Sequence, residues 1–124
     1  RIDLVGDDLF VTGPDRLQRG IDSRVANSVL VKVNQNGLVS GARAVVDRAR
    51  GAGYRTIVSA RSGETEDAWL ADLAVGWRAG QIKVGSTHRS ERTAKWNRLL
   101  ELEATEQTTF AGPWPGGQPR KGPR

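Results

Sequence analysis

Residues 59–67 read Ser-Ala-Arg-Ser-Gly-Glu-Thr-Glu-Asp and join an apolar run at 56–58 to an amphipathic run that begins near Ala68. This pattern predicts a buried strand, then a loop of small and charged residues, then a helix. Arg61 and Ser62 suit an oxyanion, because a guanidinium fork and a hydroxyl both donate hydrogen bonds and Gly63 allows close backbone approach. The stretch therefore predicts an anion-binding loop at the end of a strand.

The same loop has a structural interpretation that needs no ligand. Thr65 can cap a helix, and Glu66 and Asp67 are favourable in a first helical turn. Taken alone, the loop favours this capping interpretation, so the rest of the chain has to decide between the two.

Four strand–helix units follow one another along the chain, with a period of about 26 residues that is typical of repeated βα units. Apolar runs predict strands at residues 2–6, 28–33, 56–59 and 81–85, with a turn at 34–37. The first helix is predicted to begin at Pro14, and the second to run from a Ser40 cap to Gly51 or Gly53. The third is predicted from about Glu66 to Ala79, with Gly80 as the stop. The fourth is predicted from a Ser90 cap to about Thr105, with Leu99, Leu100 and Leu102 facing inward.

Short apolar strands that alternate with helices indicate an α/β fold with a parallel sheet and right-handed crossovers. We therefore predict four consecutive βα units over residues 1–107. The Gly- and Pro-rich basic segment 108–124 lacks the apolar residues needed for a core, and we expect a mobile tail there.

The composition limits the kinds of partner. The 124 residues contain no cysteine, which excludes disulfides and thiolate metal sites. The net charge of +5 comes partly from the two ends and otherwise from mixed helical patterns, so we expect no nucleic-acid partner. Without a bilayer-length apolar run or a signal peptide, we expect no membrane partner and a cytoplasmic location.

Polar residues stand at the predicted carboxyl ends of the strands, where chemistry gathers in parallel α/β folds. Asp7 and Asp8 follow the first strand, Lys32 lies near the end of the second, Arg61 and Ser62 follow the third, and Lys83 lies in the fourth. Asp7 offers hard oxygen ligation suited to Mg²⁺, and a lysine in an apolar strand near other cations can serve as a general base. The constellation predicts a metal-assisted reaction on a phosphorylated or carboxylated substrate.

Each of these residues also has a simpler interpretation. Asp7 and Asp8 can cap a turn, and Lys32 and Lys83 can extend to solvent at strand ends or mark exposed edge strands. The joint pattern favours the functional interpretation, because such groups cluster at sites.

Several motifs agree, in order and spacing, with one known family. The chain from Val5 to Gly112 resembles the C-terminal half of the enolase barrel at residues 5–12, 30–35, 59–67, 71–75, 80–83, 89–92 and 110–112. The resemblance implies a Mg²⁺-dependent site for 2-phosphoglycerate and phosphoenolpyruvate, in a protein that is commonly a dimer.

The resemblance also implies a role for each candidate residue. Asp7 would be one of three carboxylate ligands of Mg²⁺, and Ser59 would lie in a loop that contacts a second Mg²⁺. Lys32 would remove the α-proton, and Arg61 and Ser62 would hold the substrate phosphate. Lys83 would bind the substrate carboxylate and stabilise the aci-carboxylate intermediate, with Asp8 among the substrate-binding residues.

The chain departs from the family pattern at three points. Ala60 stands where enolases usually carry a pocket histidine, and the loop at residues 85–88 ends in an unusual His88. The other metal carboxylates would precede Arg1, so we expect a part of a longer protein or a chain that pairs with a second half-barrel. Two alternatives stay open: a specialised paralogue, such as a carboxyphosphonoenolpyruvate synthase-like enzyme, and a non-catalytic binding remnant.

Overall fold

A computed structural model describes residues 2–112 and shows one parallel sheet of four strands in the order β1-β2-β3-β4. The strands are β1 (Val5–Gly6), β2 (Ser28–Val31), β3 (Arg55–Ser59) and β4 (Gly80–Lys83). The helices are α1 (Pro14–Asp22), α2 (Val33–Asn36), α3 (Val39–Gly51), α4 (Trp69–Gly76) and α5 (Ser90–Thr105). Sequential parallel pairing with intervening helices confirms the predicted half of a TIM barrel.

The hydrophobic core lies between one face of the sheet and the helices. Val29, Val31 and Val58 alternate along their strands onto this face and are fully buried. They join four buried residues of α3 and further apolar side chains from α1, α4 and the loops: Ala42, Val45, Val46, Ala49, Leu17, Leu70 and Ala74. This helix-covered layer fixes the register of the strands, and with it the positions of the residues at their carboxyl ends.

The loop after β1 is locked by a fully buried Phe10. A Cβ on Gly6 would lie 2.2 Å from the Phe10 ring, and one on Gly20 would lie 2.4 Å from it. These two glycines therefore provide the space in which the ring packs. The ring also contacts Tyr54 at a centroid distance of 6.4 Å.

The opposite face of the sheet carries polar groups. Arg55 on β3 forms an ion pair with Asp3, which precedes β1, and Gln81 on β4 donates to Asp3 Oδ2 over 3.3 Å. Both interactions join residues of β3 and β4 to the segment before β1. The β1 edge beside them leaves Ile2, Leu4 and Val5 exposed.

Several predicted boundaries were wrong. The predicted turn at 34–37 is the short helix α2, ended by Gly37 at φ +89°. The third major helix begins at Trp69 rather than near Glu66 and ends at Gly76, and Gly80 opens β4 rather than stopping a helix. β1 and β2 are also shorter than predicted, at two and four residues.

The predicted N-caps and one predicted core residue also differ from the structure. Ser40 and Ser90 lie within their helices and Thr65 lies before Ala68, the observed N-cap of α4, so none of them caps by its side chain. Leu100 was predicted to face inward, but it is 63% exposed, whereas Leu102 is buried.

Little of the predicted tail can be compared with the structure. Residues 108–112 contain no helix or strand, and residues 113–124 lie outside the described residues. Among the helices of residues 2–112, none has the length and apolar character required to span a membrane.

Candidate active site

A cleft of about 360 Å³ opens at the carboxyl ends of β2, β3 and β4. Its lining comes from three strand ends and from α5: Lys32, Ala60, Arg61, Ser62, Lys83, Val84, Gly85 and Arg92. Register explains the convergence, because Ser59 pairs with Lys83 and the Ala60 N–H donates to the Lys83 carbonyl over 2.9 Å. The structure thus brings together four of the residues selected from the sequence, namely Lys32, Arg61, Ser62 and Lys83.

Lys32 is the most firmly held cation of this cleft. Its Nζ donates to both carboxylate oxygens of Asp7, over 2.7 and 2.8 Å. Its backbone N–H donates to the buried Thr12 hydroxyl over 2.9 Å. The Lys32 side chain is 13% exposed and that of Asp7 is 35% exposed, so the pair lies at the inner edge of the cleft. Lys32 is therefore held in one orientation, with most of its side chain buried.

Asp7 is presented by the turn that follows β1. Its carbonyl accepts hydrogen bonds from the Phe10 and Val11 N–H groups, over 3.0 and 2.8 Å. This turn orients the carboxylate toward Lys32. The neighbouring Asp8 is exposed and does not line the cleft.

The loop of Arg61 and Ser62 is anchored through Glu64. The Arg61 N–H donates to Glu64 Oε1 over 2.8 Å, and Glu64 Oε2 forms an ion pair with Lys95 Nζ at 3.4 Å. Lys95 is fully buried and also donates to the carbonyls of Thr65 and Glu91, over 2.6 and 2.7 Å. The loop is therefore fixed to α5, while the Arg61 and Ser62 side chains stay exposed to the cleft.

Ser59 and His88 lie apart from the other candidate residues. Ser59 is 3% exposed, its hydroxyl donates to the Ala60 carbonyl over 2.9 Å, and it lines a separate cavity of about 200 Å³ beneath the loop. His88 is exposed and is absent from the lining of the cleft. Ala60, in contrast, lines the cleft and presents only a methyl group there.

The cleft has an excess of positive charge. Of its four cations, only Lys32 has a carboxylate partner; Arg61, Lys83 and Arg92 form no ion pair with any residue in the range 2–112. Uncompensated cations that converge on one cavity favour a ligand with several negative charges.

The described part of the chain does not by itself form a metal site. Within residues 2–112, no group of three or more histidine, cysteine or acidic side chains is placed to hold a metal ion. Both oxygens of Asp7 accept from Lys32. Asp7 could therefore contribute at most one carboxylate to a metal site, in place of its contact with Lys32, and further ligands would have to come from outside these residues.

Sequence reasoning did not assign a role to Arg92 or Lys95. In the sequence, Arg92 is one member of the 89–92 motif, and the helical pattern does not indicate which arginine of α5 reaches the cleft at the strand ends. Lys95 looks like a surface residue in the sequence, and only the packing of the 60–68 loop over α5 buries it.

The parallel βα architecture, with a cation-lined cleft at the carboxyl ends of its strands, defines an α/β-barrel type of protein. Residues 1–116 match the family described as enolase, C-terminal TIM barrel domain. Since the match covers nearly the whole chain, the chain belongs to this family.

Proposed function

We propose that the chain is the C-terminal part of an enolase-type lyase that interconverts 2-phosphoglycerate and phosphoenolpyruvate. Family membership supports a lyase-like function of the enolase superfamily. The observation that carries the specific proposal is the convergence of Lys32, Arg61, Ser62 and Lys83 on one cleft.

In this proposal, the charges of the cleft match those of the substrate. A phosphomonoester carries about −1.5 to −2 charges near neutral pH, and a carboxylate adds one more. Arg61 and Ser62 would hold the phosphate, and Lys83 would hold the carboxylate. A carboxylate held by a cation is a better electron acceptor, so Lys83 would stabilise the charge that develops when the α-proton leaves.

Lys32 would accept the α-proton. A lysine can do so only in its neutral form with a free lone pair, whereas in the structure its Nζ donates to both oxygens of Asp7, so this contact would have to be released before proton transfer. Asp7 would thus orient Lys32, and it is also the residue that would contribute to a Mg²⁺ site. Mg²⁺, when bound, would supply charge stabilisation for the carboxylate intermediate. The roles of Ser59 in metal binding and of Asp8 in substrate binding remain predictions from the sequence.

A second candidate function rests on Ala60. Its methyl group lines the cleft at the position where enolases usually carry a histidine, and a methyl group cannot transfer a proton. This favours a specialised paralogue that acts on a related phospho- or phosphono-carboxylate, such as a carboxyphosphonoenolpyruvate synthase-like enzyme. A non-catalytic binding remnant is the third alternative.

The proposed partners follow from the open architecture. The exposed apolar residues of the β1 edge, Ile2, Leu4 and Val5, suit another strand. We propose that this edge is completed by an N-terminal part of a longer protein or by a second half-barrel, in a cytoplasmic protein that forms a homodimer.

The dehydration of 2-phosphoglycerate, followed by the absorbance of the product, tests the proposal in the full-length protein. Mg²⁺-dependent turnover supports an enolase, and normal turnover with Ala60 in place would exclude the specialised paralogue. Turnover that appears only in the Ala60→His variant supports the paralogue. Substrate binding that is independent of Mg²⁺ would contradict both enzyme proposals.

The role of Lys32 is tested by exchange of the α-proton with deuterated solvent. Lys32→Ala is expected to abolish exchange while the protein still binds the substrate, because the phosphate and carboxylate contacts remain. Exchange that persists in this variant would refute the assignment of Lys32 as the base.

A further inference from the structure

We propose that Arg92 is a further substrate-binding residue, which contacts the anionic group at the Lys83 end of the cleft. The inference rests on the proposed function, because it assigns Arg92 to the same phosphorylated carboxylate. Arg92 is the only residue of α5 that lines the cleft within the described part of the chain.

The first support is the environment of the Arg92 side chain. Gly85 has φ +115°, and a Cβ at this position would lie 3.1 Å from Arg92 Cδ and 3.2 Å from its Nε. The Arg92 side chain can therefore pack against the backbone at residue 85 only because glycine has no Cβ. Arg92 Nη1 donates to the Ser86 hydroxyl over 2.9 Å, which fixes one branch of the guanidinium.

The second support is the position of these contacts along the chain. Gly85 and Ser86 follow Lys83 after a single residue, so the loop that holds Arg92 is continuous with the end of β4. Arg92 thus lines the cleft from the side of β4 and the loop after it, as Lys83 does, whereas Arg61 and Ser62 enter from β3. The geometry gives the cleft two cationic sides, one for each anionic group of the substrate.

The third support is the absence of a competing partner. No acidic side chain of residues 2–112 forms an ion pair with Arg92, although Glu91 precedes it and pairs with Arg89. Its guanidinium has five N–H donors, and a single hydroxyl leaves most of them for a ligand. A half-buried arginine with free donors in a cleft is suited to bidentate binding of a carboxylate.

The fourth support is the rigidity of the helix that carries Arg92. Lys95 lies three residues further along α5, on the same side of the helix, and its buried Nζ joins α5 to the loop of Arg61 and Ser62. The two cationic sides of the cleft are therefore held at a fixed separation, which favours one length of substrate.

Calorimetric binding of two probes to the full-length protein, in the presence of Mg²⁺, tests the inference. Phosphonoacetate carries both a phosphonate and a carboxylate, and inorganic phosphate carries only the first type of group. Arg92→Gln should weaken phosphonoacetate binding by about tenfold to a hundredfold, the range for a lost charged hydrogen bond, with phosphate binding changed less than about threefold. Arg92→Lys should give an intermediate loss, because it retains the charge without the fork.

Arg43→Gln is the matched control, since it removes the same charge from α3, where Arg43 pairs with Asp47 away from the cleft. It should bind both probes as the wild type does. Gly85→Ala is a second variant that leaves Arg92 in the sequence but obstructs its path, and it should reproduce the selective loss. Far-ultraviolet circular dichroism verifies that each variant is folded.

The outcomes separate the two proposals. Equal phosphonoacetate affinity in the wild type and in Arg92→Gln, or an equal loss for both probes, would overturn the role of Arg92 alone. If the wild type bound neither probe, the proposed anionic substrate itself would be overturned, and Arg92 with it.

Discussion

The buried Lys95 offers the sharpest test of how the site is held together. We consider Lys95→Met, which keeps an unbranched side chain of similar length and removes the ammonium. Its Nζ is bonded to the carbonyls of Thr65 and Glu91, over 2.6 and 2.7 Å, and pairs with Glu64 at 3.4 Å. The substitution therefore takes away three interactions and leaves their acceptors in place.

The expected loss of stability follows from these contacts. The Thr65 and Glu91 carbonyls are only partly buried, and the Glu91 carbonyl still accepts the helical N–H of Lys95, so the main loss is the ion pair with Glu64. Breaking a fully buried ion pair costs about 3–5 kcal/mol. The Glu64 side chain is 24% exposed and water can partly replace its partner, so we expect a loss at the lower end of this range, about 3 kcal/mol. Methionine fills the space of the lysine stem, so a cavity contributes little.

The same change should also be visible in ligand binding. The Arg61 N–H donates to the other oxygen of Glu64, so loss of Lys95 removes one of the contacts that hold the loop of Arg61 and Ser62. We expect phosphate affinity to fall by about tenfold, equivalent to about 1.4 kcal/mol. Urea denaturation measures the first effect, and calorimetric titration with inorganic phosphate measures the second.

Arg43→Met is the control, because it removes an exposed ion pair with Asp47 on α3 that is expected to contribute less than about 0.5 kcal/mol. A loss below about 1 kcal/mol in Lys95→Met would refute the reasoning, since it would mean that Lys95 is already solvated. If the stability falls by the expected amount and the phosphate affinity does not change, Lys95 stabilises the fold without positioning the loop.

Two further substitutions test the fold. Gly6→Ala places a Cβ 2.2 Å from the Phe10 ring and should destabilise the protein by about 1–3 kcal/mol or more, as measured by urea denaturation. The control is Gly63→Ala, whose Cβ meets no atom within 4 Å and should change stability by less than about 0.5 kcal/mol. Equal effects of the two substitutions would contradict the packing of Phe10. The hydrogen bond from Arg98 lowers the pKa of Asp72 below its ordinary value of 3.8, so the pair contributes stability above that pH and loses it as the pH falls through the lowered pKa. Thermal midpoints measured from neutral to acidic pH should therefore fall less steeply in Asp72→Asn than in the wild type, and identical slopes would show that the pair does not act in the folded state.

The sequence was sufficient to predict the architecture, because apolar runs of strand length alternate with amphipathic runs of helix length. The strands β2, β3 and β4 were placed within a few residues for this reason. The same regularity places Lys32, Arg61 and Lys83 at the carboxyl ends of adjacent parallel strands, so their proximity follows from topology alone.

Helix starts were less predictable. Ser40, Thr65 and Ser90 have side chains that favour N-caps, but the helices begin after Leu38, Ala68 and Arg89, where packing and loop geometry determine the first turn. The four-residue helix α2 is too short for a periodic pattern, so the sequence predicts only a turn.

Contacts that depend on the backbone of a distant loop could not be predicted either. The entry of Arg92 into the cleft depends on the positive φ of Gly85, and the burial of Lys95 depends on the loop that folds over α5. The direct pairing of Lys32 with Asp7 requires the exact turn after β1, which spacing does not specify.

The strictly sequential strand order has a consequence for the cohesion of the molecule. β2 and β3 have a strand on either side, whereas β4 pairs only with β3 within residues 2–112. The cleft is lined from both parts of the sheet: Lys32 follows the interior strand β2, while Lys83 and Arg92 belong to the unit of β4 and α5, here called the β4 unit. A ligand with two anionic groups that contacted both sides of the cleft would link β2 to the β4 unit, and its binding would stabilise the β4 unit against local unfolding. Tighter binding of such a ligand would therefore raise the free energy of local unfolding of the β4 unit, and a more stable β4 unit would bind the ligand more tightly.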